Sequence, residues 1–194
     1  MARMNTIVFI RHGETDMAGR FCGHSDPKLN LAGESQVIRL ANQVATLEIE
    51  HIYSSDLRRA SQTATVIAQR ISIGVDYLPA LREIFFGHWE GLNWQEIQDK
   101  FPQEANRWIE EYPLRAAPGG EAYADFTARI EVVLAAFLND ATDRTIAIVT
   151  HRGVMRYALT RFFGFTEEET WAKTLSYCAT VVIARRPSDR EVLV

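Results

Sequence analysis

The chain has 194 residues, 47% of them apolar and 24% charged, with a formal net charge of −4. This is the balance of one globular domain with room for a sizeable core, and it offers no overall positive field to draw in nucleic acid or an anionic membrane. No apolar run nears bilayer-spanning length, Cys22 and Cys178 lack a C-x-x-C spacing, and Met1 to Asn5 has no signal-peptide apolar core, so a reduced, cytoplasmic protein is expected.

Ile7-Val8-Phe9-Ile10 is an apolar, β-branched run that reads as a strand buried on both faces. It ends in Arg11-His12-Gly13-Glu14-Thr15. Val37, Leu40, Ala41 and Val44 share one face of a helix expected from Leu31 to Leu47. A short strand follows at His51-Ile52-Tyr53. Ser55 reads as the N-cap of a helix from about Asp56 to Ile71, whose apolar stripe is Leu57, Ala60, Ala64, Ile67, Ala68 and Ile71. Gly74 to Leu78 is a further strand, closed by Pro79.

Glu83 to Gly120 holds three of the four Trp residues, Trp89, Trp94 and Trp108, and is interrupted by Pro102, Pro113 and Pro118. It reads as an excursion from the sheet that walls or covers a site, with one or two short helices between Asn93 and Glu111. Anchoring the excursion is the favoured role for its rings, ahead of stacking on an aromatic base. A helix runs from Tyr123 to Leu138. Ile146-Ala147-Ile148-Val149 is the second buried strand, ending in Thr150-His151-Arg152-Gly153. A helix from Val154 to Phe163 stops at Gly164, and a strand from Cys178 to Arg185 comes last. Strands alternating with helices predict an α/β protein with a mostly parallel sheet covered on both faces. One domain spans residues 1–194, with the excursion at about 83–120.

The two buried strands end alike, each at a His. Ligands of open α/β sheets bind outside the carboxyl ends of parallel strands, so as parallel neighbours these would bring His12 and His151 to one crevice. That suits a His nucleophile acting on a phosphate held by Arg. A phosphate monoester carries about two negative charges near neutral pH. Its charge persists through transfer, so positioning and electrostatics dominate catalysis. Planar Arg forks bind its oxygen pairs, a neutral imidazole is a competent nucleophile, and a carboxylic acid protonates the leaving oxygen. Arg11 and His12 supply the first pair. Arg58 shares a solvated stripe with Ser61, Gln62, Thr65 and Gln69, whereas Arg59 shares its ridge with Thr63 and Val66 nearer the buried face, so Arg59 is the second expected clamp. Glu83 is the expected acid, among aromatic and apolar neighbours that would desolvate it. Glu14 is a weaker candidate for that role.

These strings together resemble the histidine phosphatase (phosphoglycerate mutase-like) superfamily. The resemblance rests on Arg11-His12-Gly13-Glu14-Thr15, Gly23-His24-Ser25-Asp26, Ser54 through Ala64, Arg82 through Gly91, Pro118-Gly119-Gly120-Glu121 and Val149 through Val154, in the family's order over nearly the whole chain. It implies a three-layer α/β/α sandwich and a phosphohistidine on His12. Arg11, Arg59 and His151 would clamp the phosphoryl oxygens, and Glu83 would protonate the leaving group and then activate water. It implies no metal and no organic cofactor. Gly23 and Arg152 join the expected phosphate-binding set; for Arg152 the competing reading is a solvated side chain. Three departures stand out. Ala18 replaces a common Asn donor, Cys22 replaces a common hydroxyl, and Arg152 replaces the Gly that often follows the second His.

The short segment from His88 to Gly120, with Arg107 and Arg115 well apart, favours a phosphatase over a mutase. Its strings look most like small bacterial phosphatases such as α-ribazole phosphatase. The expected partner is a small phosphate ester, α-ribazole 5'-phosphate or a sugar phosphate, and neither nucleic acid nor membrane. The alternatives are a phosphoglycerate mutase, an inactive module that binds phospho-ligands, and a metallohydrolase built on His12, His24, Asp26 and His151.

Overall fold

The computed structural model describes residues 5–139 and 144–185. Five strands form one sheet: β1 (Asn5–Arg11), β2 (His51–Ser54), β3 (Val75–Tyr77), β4 (Thr145–Thr150) and β5 (Thr180–Arg185). Their spatial order is β3-β2-β4-β1-β5. The first four run parallel, and β5 joins β1 antiparallel at the edge.

Side chains alternate across β1 and β4, which is why both strands read as unbroken apolar runs. Ile7, Phe9, Ile146 and Ile148 face one layer, where they meet Ile130 and Leu134 of α5 (Tyr123–Asn139) and Met155 and Leu159 of α6 (Arg152–Phe163). Val8, Ile10, Ala147 and Val149 face the other. There they meet Leu40 and Val44 of α1 (Leu31–Val44) and Ala64 and Ile67 of α2 (Arg58–Ile71). The result is a three-layer α/β/α sandwich. Gly164 ends α6 in the left-handed region, φ 67°, as its position predicts. No helix among the described residues is long and apolar enough to cross a membrane.

The excursion forms two short helices, α3 (Trp94–Lys100) and α4 (Pro102–Glu110), around a core of its own. Trp89 is fully buried there with Ile97 and Ala105. Phe21 reaches in from the loop after β1, and Trp89, Trp94 and Trp108 pack about it and on one another. The rings anchor the excursion.

Two local expectations need correction. Helix α2 begins at Arg58, with Leu57 as N-cap. Its first N–H, that of Arg58, is met from outside the helix by Asp26 Oδ1 at 2.6 Å. Ser55 lies too far upstream to cap it. A helix absent from the expectations, α7 (Glu167–Thr174), stands between α6 and β5. Strand β5 starts at Thr180, two residues later than predicted.

Candidate active site

The register of the two central strands brings the histidines together. Arg11 and Thr150 are cross-strand partners. His12 and His151 are therefore the first residues past the carboxyl ends of neighbouring parallel strands. Both are buried, with ring centroids 5.1 Å apart. His12 Nδ1 lies 2.7 Å from the Gly13 carbonyl oxygen. A carbonyl only accepts, so Nδ1 carries the proton and Nε2 keeps the lone pair. His151 Nε2 pairs with Ser55 Oγ at 2.8 Å, while its Nδ1 is buried with no hydrogen-bond partner among the described residues. Burial lowers the pKa of both rings well below the ordinary 6.5, and the charge of Arg59 lowers both further. Both imidazoles are neutral at neutral pH.

Of the two adjacent arginines in α2, Arg59 is 1% exposed and Arg58 faces solvent. Arg59 Nη1 donates to Ser25 O at 2.7 Å, and Nη2 donates to Gly23 O at 2.7 Å and Cys22 O at 3.1 Å. Its Nε is buried and has no partner among the described residues. The loop that supplies these carbonyls is gripped from its other side. Glu90 accepts the N–H groups of Gly23, His24, Ser25 and Phe86 at 2.9 to 3.1 Å. Burial works to raise the Glu90 pKa, but its hydrogen bonds to Ser25, Phe86 and His24 outweigh burial and hold it below the ordinary 4.5. Glu90 thus sets the clamp without touching it, a role that no sequence signal assigned.

This network also relocates Gly23. Gly23 was expected in the phosphate-binding set; here its N–H is taken by Glu90 and its carbonyl holds Arg59. A Cβ there would lie 2.1 Å from Ile84 O, so only glycine fits.

Arg11 Nη1 donates to Thr174 O at 3.1 Å and to Leu175 O, and its guanidinium lies 4.3 Å from the Tyr177 ring centroid. Its Nε is buried without a partner among the described residues. Glu83 is 8% exposed. Its carboxylate accepts the Ile84 N–H at 3.0 Å and the Gly153 N–H at 2.9 Å, so backbone donors, beyond the expected apolar neighbours, fix its position. Its carbonyl is held by Arg129 Nη2 at 3.0 Å, and Arg129 pairs side-on with Glu121 at 2.7 and 2.9 Å. Glu14, the weaker acid candidate, is occupied with Asn30 and Gln36 at the start of α1.

Arg152 is half-buried, and its guanidinium carbon sits 3.7 Å from the Trp171 ring centroid. Of the other departures, Ala18 lies in a turn after Thr15. Cys22 contributes a carbonyl to Arg59 where the family pattern has a hydroxyl side chain. The metallohydrolase reading fails on placement. Asp26 caps α2, His24 Nε2 lies 3.1 Å from Glu83 O, and no cluster of three metal-ligating side chains occurs among the described residues.

The family model described as histidine phosphatase superfamily (branch 1) matches residues 7–194. The chain belongs to that superfamily. It is 29% identical over 171 residues to phosphoserine phosphatase 1 of Hydrogenobacter thermophilus, covering 87% of this chain and 81% of the relative. It is 31% identical over 189 residues to a metal-independent phosphoserine phosphatase of Arabidopsis thaliana, covering 95% and 78%. The crystal structure of the α-ribazole phosphatase from Shigella flexneri superposes with a TM-score of 0.82 at 26% identity, covering 92% and 89%. The protein is a phosphatase of this superfamily, and the Arabidopsis thaliana relative is named as metal-independent.

Beside the paired histidines lies a cleft of about 400 Å³. Glu83, Gly153 and Arg152 line it, together with Phe85, Trp108, Tyr112 and Trp171. His12, Arg11, Arg59 and His151 are not among the lining residues. The cleft therefore shares Glu83, and none of the two histidines, Arg11 or Arg59, with the buried centre.

Proposed function

We propose that His12 is the nucleophile of a two-step hydrolysis of a small phosphate monoester. His12 Nε2 attacks phosphorus, the bond from phosphorus to the ester oxygen breaks, and that oxygen takes a proton from the Glu83 carboxyl group. Glu83, now a carboxylate, accepts a proton from water as the water oxygen attacks the phosphohistidine. The phosphorus–nitrogen bond breaks, releasing inorganic phosphate and restoring the lone pair. Arg11, Arg59 and His151 hold the phosphoryl oxygens throughout. With the Ser55 hydroxyl donating to His151 Nε2, Nδ1–H becomes one of these donors.

The observation that carries this reading is a neutral His12 with its Nε2 lone pair fixed, together with three buried donor atoms that have no partner among the described residues: Arg11 Nε, Arg59 Nε and His151 Nδ1. Desolvated donors of this kind match an oxyanion. The partner is a small molecule in the cytoplasm, neither nucleic acid nor membrane, in keeping with the net charge of −4. Both α-ribazole 5'-phosphate and a sugar phosphate are of a size for a cleft of about 400 Å³.

The test is alkaline quench of the protein mixed with a radiolabelled aryl phosphate. An acid-labile, alkali-stable phosphoprotein is expected, absent from His12→Ala, which also loses at least about 10³-fold in turnover. Undiminished turnover by folded His12→Ala would overturn the assignment.

A further inference from the structure

Arg152 presents an edge that this protein elsewhere fills with a carboxylate. Arg82 uses Nε and Nη2 side-on to hold Asp56, at 2.7 Å through Nε. Arg129 uses the same two atoms to hold Glu121, at 2.7 and 2.9 Å. In Arg152 both Nε and Nη2 are buried and neither has a hydrogen-bond partner among the described residues. The other cleft-lining arginines have carboxylate neighbours: Arg115 beside Glu111, Arg156 beside Glu167, and Arg161 beside Glu131. Arg152 has none.

The side chain is also held in place. Its plane rests on Trp171, and Arg156, one helical turn along α6, lies 5.0 Å from the same ring. Stacking on the indole restrains the Arg152 guanidinium, and its Nε and Nη2 are buried without a partner among the described residues, as is Nε of Arg156. The position is equally specific. Arg152 lines the cleft next to Glu83, the group assigned to the leaving oxygen, while the three phosphoryl-holding side chains lie outside it.

We propose that the Nε/Nη2 edge of Arg152, held flat by Trp171, binds a carboxylate on the leaving group of the substrate. The inference rests on the phosphatase reading above and narrows it to phosphomonoesters whose alcohol carries an acid. A simple sugar phosphate lacks that group. The residue after the second histidine is then a specificity residue, and its departure from glycine selects the substrate.

The test compares two esters that differ at one carbon, 3-phosphoglycerate and glycerol 1-phosphate, with a sugar bisphosphate as a third probe. The native protein is expected to favour 3-phosphoglycerate over glycerol 1-phosphate by at least about tenfold in kcat/KM. In Arg152→Gln that ratio falls to near one, mainly through KM. In Arg152→Lys it recovers only in part, since an ammonium lacks the fork. Trp171→Leu, which leaves the charge in place, gives an intermediate ratio. A ratio near one in the native protein, or one unchanged in Arg152→Gln, overturns the proposal. A bisphosphate that depends on Arg152 more strongly than 3-phosphoglycerate overturns the carboxylate. Loss of the phosphoprotein signal would instead strike the His12 assignment, and the ratios are read independently of it.

Discussion

The Gly153 N–H donates to Glu83 Oε2 at 2.9 Å, and there is no room for a side chain between the two residues. A Cβ at position 153 would lie 2.2 Å from Glu83 Oε1. The first turn of α6 therefore seats the carboxyl group by both its donor and its missing methyl. Gly153→Ala should displace Glu83 while leaving the nucleophile and the arginines in place. Proton delivery matters most for alcohols that leave poorly. Turnover of an alkyl phosphate should fall by about 10²-fold, and that of 4-nitrophenyl phosphate by under about tenfold. Equal losses on both esters would show that Glu83 is not the acid.

Arg59 is positioned at one remove by Glu90. Three carbonyls hold the guanidinium, and Glu90 holds the N–H groups of the loop that carries them. In Glu90→Gln one acceptor oxygen is replaced by an NH₂ that meets N–H groups head on. The loop loses donors' partners that are charge-assisted, which destabilises the fold by about 2–3 kcal/mol. Because the damage reaches Arg59, kcat/KM should drop about tenfold for all esters alike, charged or neutral. Urea denaturation and steady-state kinetics on the same preparation measure both effects. A stability loss with unchanged kinetics would limit Glu90 to a structural part.

The same pair shows where sequence stops being informative. Arg59 was legible, because the helical period placed it nearer the buried face than Arg58. His12 and His151 were legible, because buried parallel strands have a strong signature and ligands collect at their carboxyl ends. Glu90 was not: its partners in the clamp loop lie 65 to 67 residues upstream, and no local pattern encodes them. Ser55 was misread for a similar reason. A Ser before an amphipathic run resembles an N-cap, but Asp26 takes the Arg58 N–H from 32 residues away, while Ser55 Oγ accepts the Leu57 N–H and pairs with His151. Helix α7 was missed although its start carries a local signal. Thr166 and Glu169 form a capping box, yet the Glu-rich turn that follows lacks an apolar stripe, with only Thr170 and Thr174 buried. Without α7, Trp171 had no position, and the setting of Arg152 was out of reach.

Ser55 is accordingly a positioning residue for His151. Its hydroxyl is the hydrogen-bond partner of Nε2, at 2.8 Å, and by donating there it favours the tautomer with the proton on Nδ1. Ser55→Ala leaves the ring buried but free to hold the wrong tautomer. Outer-shell partners of this kind are typically worth 10- to 100-fold. A fall of about tenfold in kcat/KM is expected, with Ser55→Thr retaining most activity. The ring-nitrogen shifts of His151 in an NMR spectrum should change with the alanine variant. Unaltered shifts would remove Ser55 from the tautomer argument.

The buried imidazoles make stability depend on pH, and the sign follows from their depressed pKa values. In the unfolded chain both rings titrate near the ordinary value of about 6.5. In the folded protein burial, then Arg59, keeps His12 and His151 unprotonated well below that. As the pH falls below about 6.5 the unfolded state binds more protons than the folded one, so stability present above that pH is lost on acidification. The slope is at most about 1.4 kcal/mol per pH unit for each ring. Glu90 adds a second, more acidic window, since its folded pKa lies below the ordinary 4.5 and its contribution is lost as the pH falls through that lowered value. Urea midpoints measured from pH 7.5 to pH 5 should therefore decline steadily. In His151→Asn, which removes one of the two rings, the decline should be about half as steep. An equal slope in both proteins would show that the loss comes from groups other than the paired histidines.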